Sequence, residues 1–213
     1  QLLIILMLFI FNISSFSQRI DTLYYDNAGK GVETKEFASY IGYASYAKDA
    51  NFGNRIRVYY ADSNTLYMEG SFLSIDKYDM TKGAYDGERR AYYKNGNMMQ
   101  ISNFKNGVQN GETKEYYENG QLQGEFNYKD GIFDNVNISY YQNGLIHKKS
   151  TFANGKLNGI LYEFPEDGKS CNQLEYKDGE PVTPYFTQST SEGYVTKYKL
   201  QDGSLYLEMP TIN

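Results

Sequence analysis

Glycines recur along the middle of this chain at a fixed interval of 24 residues, and this interval constrains the fold more than any other feature. Gly87, Gly111, Asn135 and Gly159 open four successive units. Within them Gly96, Gly120, Gly144 and Gly168 recur, as do Gly107, Gly131, Gly155 and Gly179, without one insertion. A period of this length predicts a repeat architecture, in which each unit buries its apolar surface against its neighbours.

The residues inside each unit say what the unit is. The first turn of each ends Lys-Asn-Gly96, Glu-Asn-Gly120, Gln-Asn-Gly144 or Glu-Asp-Gly168, and the second is Asn106-Gly107, Asp130-Gly131, Asn154-Gly155 or Asp178-Gly179. Asn-Gly and Asp-Gly between apolar stretches are strong hairpin signals, because a type I′ turn needs positive φ at both central residues. Each unit is therefore read as two strands and two turns. The composition agrees: 23 tyrosines and no tryptophan suit strands, where aromatic rings pack on a pleated surface.

Strand pairing assigns the faces. Folding back symmetrically about Asn95-Gly96, with a two- or four-residue loop, sets Tyr93 opposite Met98 on the same side; a three-residue loop reverses this. Carried through the array, one face collects Tyr93, Tyr117 and Tyr141, then Met98, Leu122 and Ile146, then Phe104, Tyr128, Phe133, Phe152, Leu157 and Tyr176. This is the expected apolar face. The opposite face carries Arg90, Lys114, Glu125, Asn127, Lys149, Thr151 and Glu175, together with a row at Tyr92, Tyr116, Tyr140 and Phe164. That row is the candidate partner-binding surface. A tyrosine offers a large apolar face and a hydroxyl at low entropic cost, which suits a protein, peptide or glycan partner. The competing reading is that the rings shield the backbone and pack against Met99, Gln123 and His147 across each hairpin.

Net charge excludes one class of partner. Acidic residues outnumber basic ones by 26 to 21, giving −5, and no cluster of Lys and Arg tracks a phosphate backbone, so nucleic acid is not expected. The same balance removes the electrostatic part of any attraction to anionic lipid. At the N-terminus an apolar run from Gln1 to Phe11 precedes Ser15 and Ser17 in a small-x-small pattern, the shape of a secretory signal peptide. It begins without Met or a basic leader, so a start further upstream is expected, with a mature N-terminus near Gln18 in an exported compartment: periplasm, outer envelope or medium. Cys171 is the sole cysteine, so no intrachain disulfide forms.

The expected layout is a signal segment over 1–17, an N-terminal capping segment over 18–58, a degenerate repeat and connection over 59–86, four repeats over 87–182, and a degenerate, incomplete repeat over 183–213. Tyr59-Tyr60 with Leu66 and Phe72 resembles a unit with one inserted residue. Tyr24-Tyr25 with Gly29, and Tyr198 with Asp202-Gly203 and Leu205, are weaker echoes at the two ends.

The Tyr-Tyr-x-Asn-Gly unit, with its second x-Gly turn eleven residues after the first glycine, resembles the bacterial MORN-repeat-variant family, whose chains often carry the label of YwqK-type antitoxins. The resemblance covers residues 87–182 well and 59–86 poorly. It implies an elongated single antiparallel sheet of stacked β-hairpins, an all-β fold with binding or scaffolding roles and no enzyme activity of its own. The chain departs from the pattern at Asn135, in place of the opening glycine, and at Pro165, in place of the second tyrosine. Pro165 removes a backbone donor and is expected to fray the fourth unit.

No constellation for chemistry emerges. His147 is the sole histidine. It shares a repeat column with Met99, Gln123 and Cys171, but equivalent positions lie roughly 10 Å apart across two strands, too far for one zinc ion. No metal or cofactor is therefore expected. The carboxylates Glu112, Glu115, Glu118 and Asp130 follow turns and exposed strand positions, and no Ser-His-Asp order or phosphate-cradling loop is present. The leading reading is an exported, non-enzymatic β-repeat binding or scaffold protein; an antitoxin-like inhibitor and an envelope polysaccharide-acting enzyme are the alternatives. A bare apolar face must curl, be covered by the terminal segments, or pair with a second copy as a homodimer.

Overall fold

The computed structural model describes residues 19–47, 53–182, 185–190, 195–201 and 204–207. The expected signal segment and the Asp202-Gly203 turn lie outside the described residues. Eighteen strand segments follow one another: β1 (Ile20–Tyr25), β2 (Tyr40–Ser45), β3 (Asn54–Tyr60), β4 (Leu66–Ser74), β5 (Ala84–Tyr92), β6 (Met98–Lys105), β7 (Val108–Tyr116), β8 (Leu122–Lys129), β9 (Ile132–Phe133), β10 (Asn135–Tyr140), β11 (Ile146–Ala153), β12 (Lys156–Leu157), β13 (Gly159–Glu163), β14 (Ser170–Lys177), β15 (Glu180–Pro181), β16 (Tyr185–Thr190), β17 (Val195–Gln201) and β18 (Ser204–Leu207). The short segments β9, β12 and β15 continue as β10, β13 and β16, which makes fifteen strands. Each strand pairs antiparallel with its neighbours in sequence, from β1 with β2 to β17 with β18, in one open sheet of hairpins. Helical structure among the described residues amounts to two single 3₁₀ turns, Lys35–Phe37 and Met80–Lys82.

The second turn of each unit is type I′. Asn106 and Gly107 have φ of +52° and +82°, Asp130 and Gly131 +51° and +83°, Asn154 and Gly155 +51° and +77°, and Asp178 and Gly179 +54° and +92°. The first turn is different. Gly96 is left-handed at φ +88° while Asn95 is not. Gly96 N–H donates to Tyr93 O and Tyr93 N–H donates to Asn97 O, so the loop holds three residues and closes as a type I turn with a glycine bulge. The Asn95 side chain accepts from Asn97 N–H, and Asn119, Asn143 and Asp167 do the same in the later units.

This loop alters one part of the expected face assignment. Ala91 pairs with Gln100, as symmetric folding requires, but Tyr92 pairs with Met98, with a bulge between the two pairs. The same shift recurs at Tyr116 with Leu122 and at Tyr140 with Ile146. Met98, Leu122 and Ile146 therefore lie with the first tyrosine of each pair, while the Met99, Gln123 and His147 column sits beside the second; the His147 ring lies 4.5 Å from that of Tyr141. The body of each strand keeps the expected register, so only the residues next to the loop change sides.

Asn135 occupies its glycine position at φ +57°, in the same left-handed region as Gly87, Gly111 and Gly159. Asparagine is among the few side chains that visit this region at modest cost. Pro165 keeps the turn, since Gly168 N–H still donates to Pro165 O, but β13 ends at Glu163, one position earlier in the unit than β5, β7 and β10 end.

The core lies on one side of the N-terminal strands, which we call the inner face. Ala44, Ile56, Val58, Met68, Phe72, Tyr85 and Ala91 form it, with Leu23, Tyr46, Tyr67 and Met80 packed around them. Two loops lock together beside it. Gly31 N–H donates to Tyr78 O and Met80 N–H to Gly29 O, and the wholly buried Tyr25 donates its hydroxyl to Asp76 O. Asp79 fastens the junction: its carboxylate accepts from Lys30 at 2.6 Å and from the Thr81 N–H and hydroxyl.

Further along the array the inner face is not apolar throughout. Down its middle Ser102 and Thr113, then Phe126, then Asn137 and Ser150 lie in register, the four polar ones buried, flanked on one side by Phe104, Tyr128, Phe133 and Phe152 and on the other by Tyr93, Tyr117 and Tyr141. Short polar side chains fill most of the floor between two lines of rings, a feature that the apolar-face expectation passed over.

Candidate binding faces

The two tyrosines of each pair point to opposite sides and do different work. The second donates its hydroxyl to the backbone carbonyl of the first aromatic residue in the next unit. Tyr93 donates to Tyr116 O at 2.7 Å, Tyr117 to Tyr140 O at 2.7 Å and Tyr141 to Phe164 O at 2.8 Å, each 23 residues along the chain. Tyr60 makes the equivalent bond to Tyr92 O at 3.1 Å. Pro165 has no hydroxyl to offer, so the ladder stops there. Turn asparagines add a parallel line of bonds, with Asn95 and Asn97 donating to Glu118 O and Asn143 to Glu166 O.

The first aromatic residues, Tyr92, Tyr116, Tyr140 and Phe164, are all half-buried. The three tyrosines stand on the outer face, among Glu69, Lys114 and Glu125. Tyr92 donates to a Glu69 oxygen at 3.1 Å and Tyr140 to a Glu125 oxygen at 2.9 Å. Burial first, and then the neighbouring carboxylate, raises both phenols above their ordinary pKa. The Tyr116 hydroxyl makes no hydrogen bond among the described residues. Around the row the outer face is lined with ion pairs: Arg57 with Glu69, Arg90 with Glu88, and Lys114 between Glu112 and Glu125. The sheet thus shows half-buried rings at unit spacing on a charged, solvated ground. They pair with Met98, Leu122 and Ile146 rather than with the Met99, Gln123 and His147 column.

On the inner face a cavity of about 290 Å³ opens where the degenerate unit meets the first regular one. Arg89, Gln100, Glu115 and Gln123 are polar members of its lining, with Tyr67, Tyr93 and Met99 as walls and Tyr116 at its margin. The chain gives one sign of this site: Arg89 is replaced by Thr113, Asn137 and Leu161 in the equivalent positions of later units, so a charge interrupts an otherwise small or apolar column.

Among the described residues, no group of three or more His, Cys, Asp or Glu is placed to hold a metal ion. Nor is any helix long and apolar enough to cross a membrane. Cys171 is half-buried, and burial raises its thiol.

Fold and faces together define a β-hairpin repeat protein, built from strands that pair with their neighbours in sequence. Residues 85–106 and 109–130 match the family model described as MORN repeat variant, which supports a MORN-repeat reading of the array. No curated protein matches the chain.

Proposed function

We propose that this chain is an exported, non-enzymatic repeat module that binds or scaffolds a protein partner of the cell envelope through its outer face. The observation that carries this reading is the division of labour within each tyrosine pair. The hydroxyls of Tyr93, Tyr117 and Tyr141 reach the backbone of the following unit on the inner face, whereas on the outer face Tyr92 and Tyr140 bond carboxylates of the preceding unit and Tyr116 bonds none of the described residues. Half-buried rings on a charged outer face, repeated roughly 10 Å apart across pairs of strands, offer a partner several equivalent contacts at once. The apolar run before Ser15 and Ser17 supports export.

The test is capture from envelope and medium fractions by the chain beginning at Gln18, in parallel with a variant carrying Tyr92→Ser, Tyr116→Ser and Tyr140→Ser. Capture of one partner by the first and its loss from the folded second supports the proposal. An unfolded variant assigns the row to packing instead, and self-assembly without any captured partner assigns the chain a structural role.

A further inference from the structure

We infer that the inner-face cavity is a binding site for a small zwitterion with an apolar side chain, a free α-amino acid. The reasoning begins with two charges that lack counter-ions. Arg89 is half-buried, its guanidinium lying 5.1 Å from the centre of the Tyr85 ring and 5.0 Å from that of Phe104. It makes no ion pair among the described residues; it donates to the neutral Gln100 Oε1 at 3.0 Å, and its Nε–H is shut off from water without a partner. Glu115 is half-buried as well, and its carboxylate accepts from Gln100 Nε2 at 3.0 Å, again with no cation in contact. Two half-buried charges of opposite sign, each held by one neutral amide, thus line the same cavity.

Gln100 keeps these charges from meeting. Two 3.0 Å hydrogen bonds and the width of one amide set Arg89 and Glu115 no more than about 8 Å apart. The Gln100 amide fills this gap with one acceptor for Arg89 and one donor for Glu115; the head of an α-amino acid presents the same pair, a carboxylate and an ammonium at contacts of about 3 Å, and takes the amide's place as the Gln100 side chain turns aside. The carboxylate then faces the Arg89 guanidinium and the ammonium faces Glu115. Tyr67, Tyr93 and Met99 supply the apolar walls for the side chain. The site opens on the opposite face from the Tyr92 row, although Tyr116 of that row also lines it; variants at Arg89 and Glu115, which are outside the row, keep the two proposals distinguishable.

The probe is free L-phenylalanine, titrated into the full chain by calorimetry, with the Met99 methyl resonance as a local reporter. N-acetyl-L-phenylalanine lacks the ammonium and mimics a peptide C-terminus; L-phenylalaninamide lacks the carboxylate and mimics an N-terminus. Each is expected to bind about tenfold or more weakly than the amino acid, since each leaves one buried charge unpaired. Arg89→Gln and Glu115→Gln are each expected to weaken binding to a similar degree, with a wild-type thermal melt. Should either variant fail to fold, the analogue series on the wild-type chain decides. Absence of heat and of a Met99 shift at millimolar amino acid overturns the inference, and so does equal binding of either analogue, which would point to a chain terminus as the ligand.

Discussion

The hydroxyl of Tyr117 donates to the backbone carbonyl of Tyr140 across 2.7 Å, joining one unit to the next at a separation of 23 residues. This contact explains why the repeat carries two adjacent tyrosines. Side chains alternate between the faces of a strand, so one ring of each pair is committed inward, where its hydroxyl reaches the following hairpin, and the other is turned outward.

Tyr117→Phe leaves the Tyr140 carbonyl without this donor and is expected to cost about 1 kcal/mol. Tyr116→Phe, one residue earlier, removes a hydroxyl that holds nothing within the protein and is expected to change stability by less than about 0.5 kcal/mol. Urea denaturation of the two variants side by side checks the asymmetry.

Asn135 stands at φ +57° where three other units place glycine. Asn135→Ala is expected to lower stability by about 1 kcal/mol, because alanine lacks the local hydrogen bonding that lets asparagine occupy this region. Asn135→Gly is expected to leave stability unchanged or slightly raised. Equal losses for the two variants would show that the side chain, rather than the backbone angle, matters there.

Gly31 is the tightest glycine at the loop junction. A Cβ there would fall 2.4 Å from the carbonyl oxygen of Lys77 and 2.8 Å from the Cα of Tyr78, both backbone atoms with little freedom to retreat. Gly31→Ala is expected to destabilise the N-terminal strands by about 2 kcal/mol or more. Amide exchange resolves the effect, with protection lost first in β1 and β2 and retained in β7 and β8.

Asp79 gives the chain an acid-sensitive joint. Its side chain is 7% exposed, and the Lys30 ammonium first, with the Thr81 hydroxyl and N–H, holds its carboxyl well below the usual carboxylate range. A depressed folded-state pKa means that the stabilisation is complete above the unfolded value of about 4 and is lost as pH falls below it. Thermal melting from pH 7 to pH 3 is expected to decline below pH 4, and Asp79→Asn is expected to melt lower at pH 7 with a shallower decline.

Much of this architecture was legible in the chain because its rules are local. Positive φ at Asn106-Gly107 is a requirement of two residues, so the type I′ turns follow from the dipeptide itself. The glycine spacing fixed the strand bodies, and the pairing of Ala91 with Gln100 follows from symmetric folding. The swap of Met98 and Met99 was hidden, because Asn95-Gly96 serves two turn types and the choice depends on where Tyr93 N–H finds its acceptor. The junction of the 26–31 and 76–80 loops was hidden for another reason: it joins residues about fifty positions apart with no shared motif. At the sites, the outward row could be named from pairing alone. The Arg89, Gln100 and Glu115 cluster could have been found only by asking which unit breaks its own column.

The tyrosine ladder also bears on how such a chain changes over generations. Every joint places its donor in the upstream unit and its acceptor in the downstream one, with both carried at fixed positions of the repeat. A duplication or deletion of one whole period recreates the joint at the splice without any compensating substitution, so the protein can lengthen or shorten by unequal recombination and still fold. Pro165 breaks this rule. It accepts from the turn glycine but has no hydroxyl to donate onward, so it divides the array into a stretch free to expand and a stretch that the tyrosine ladder does not reach.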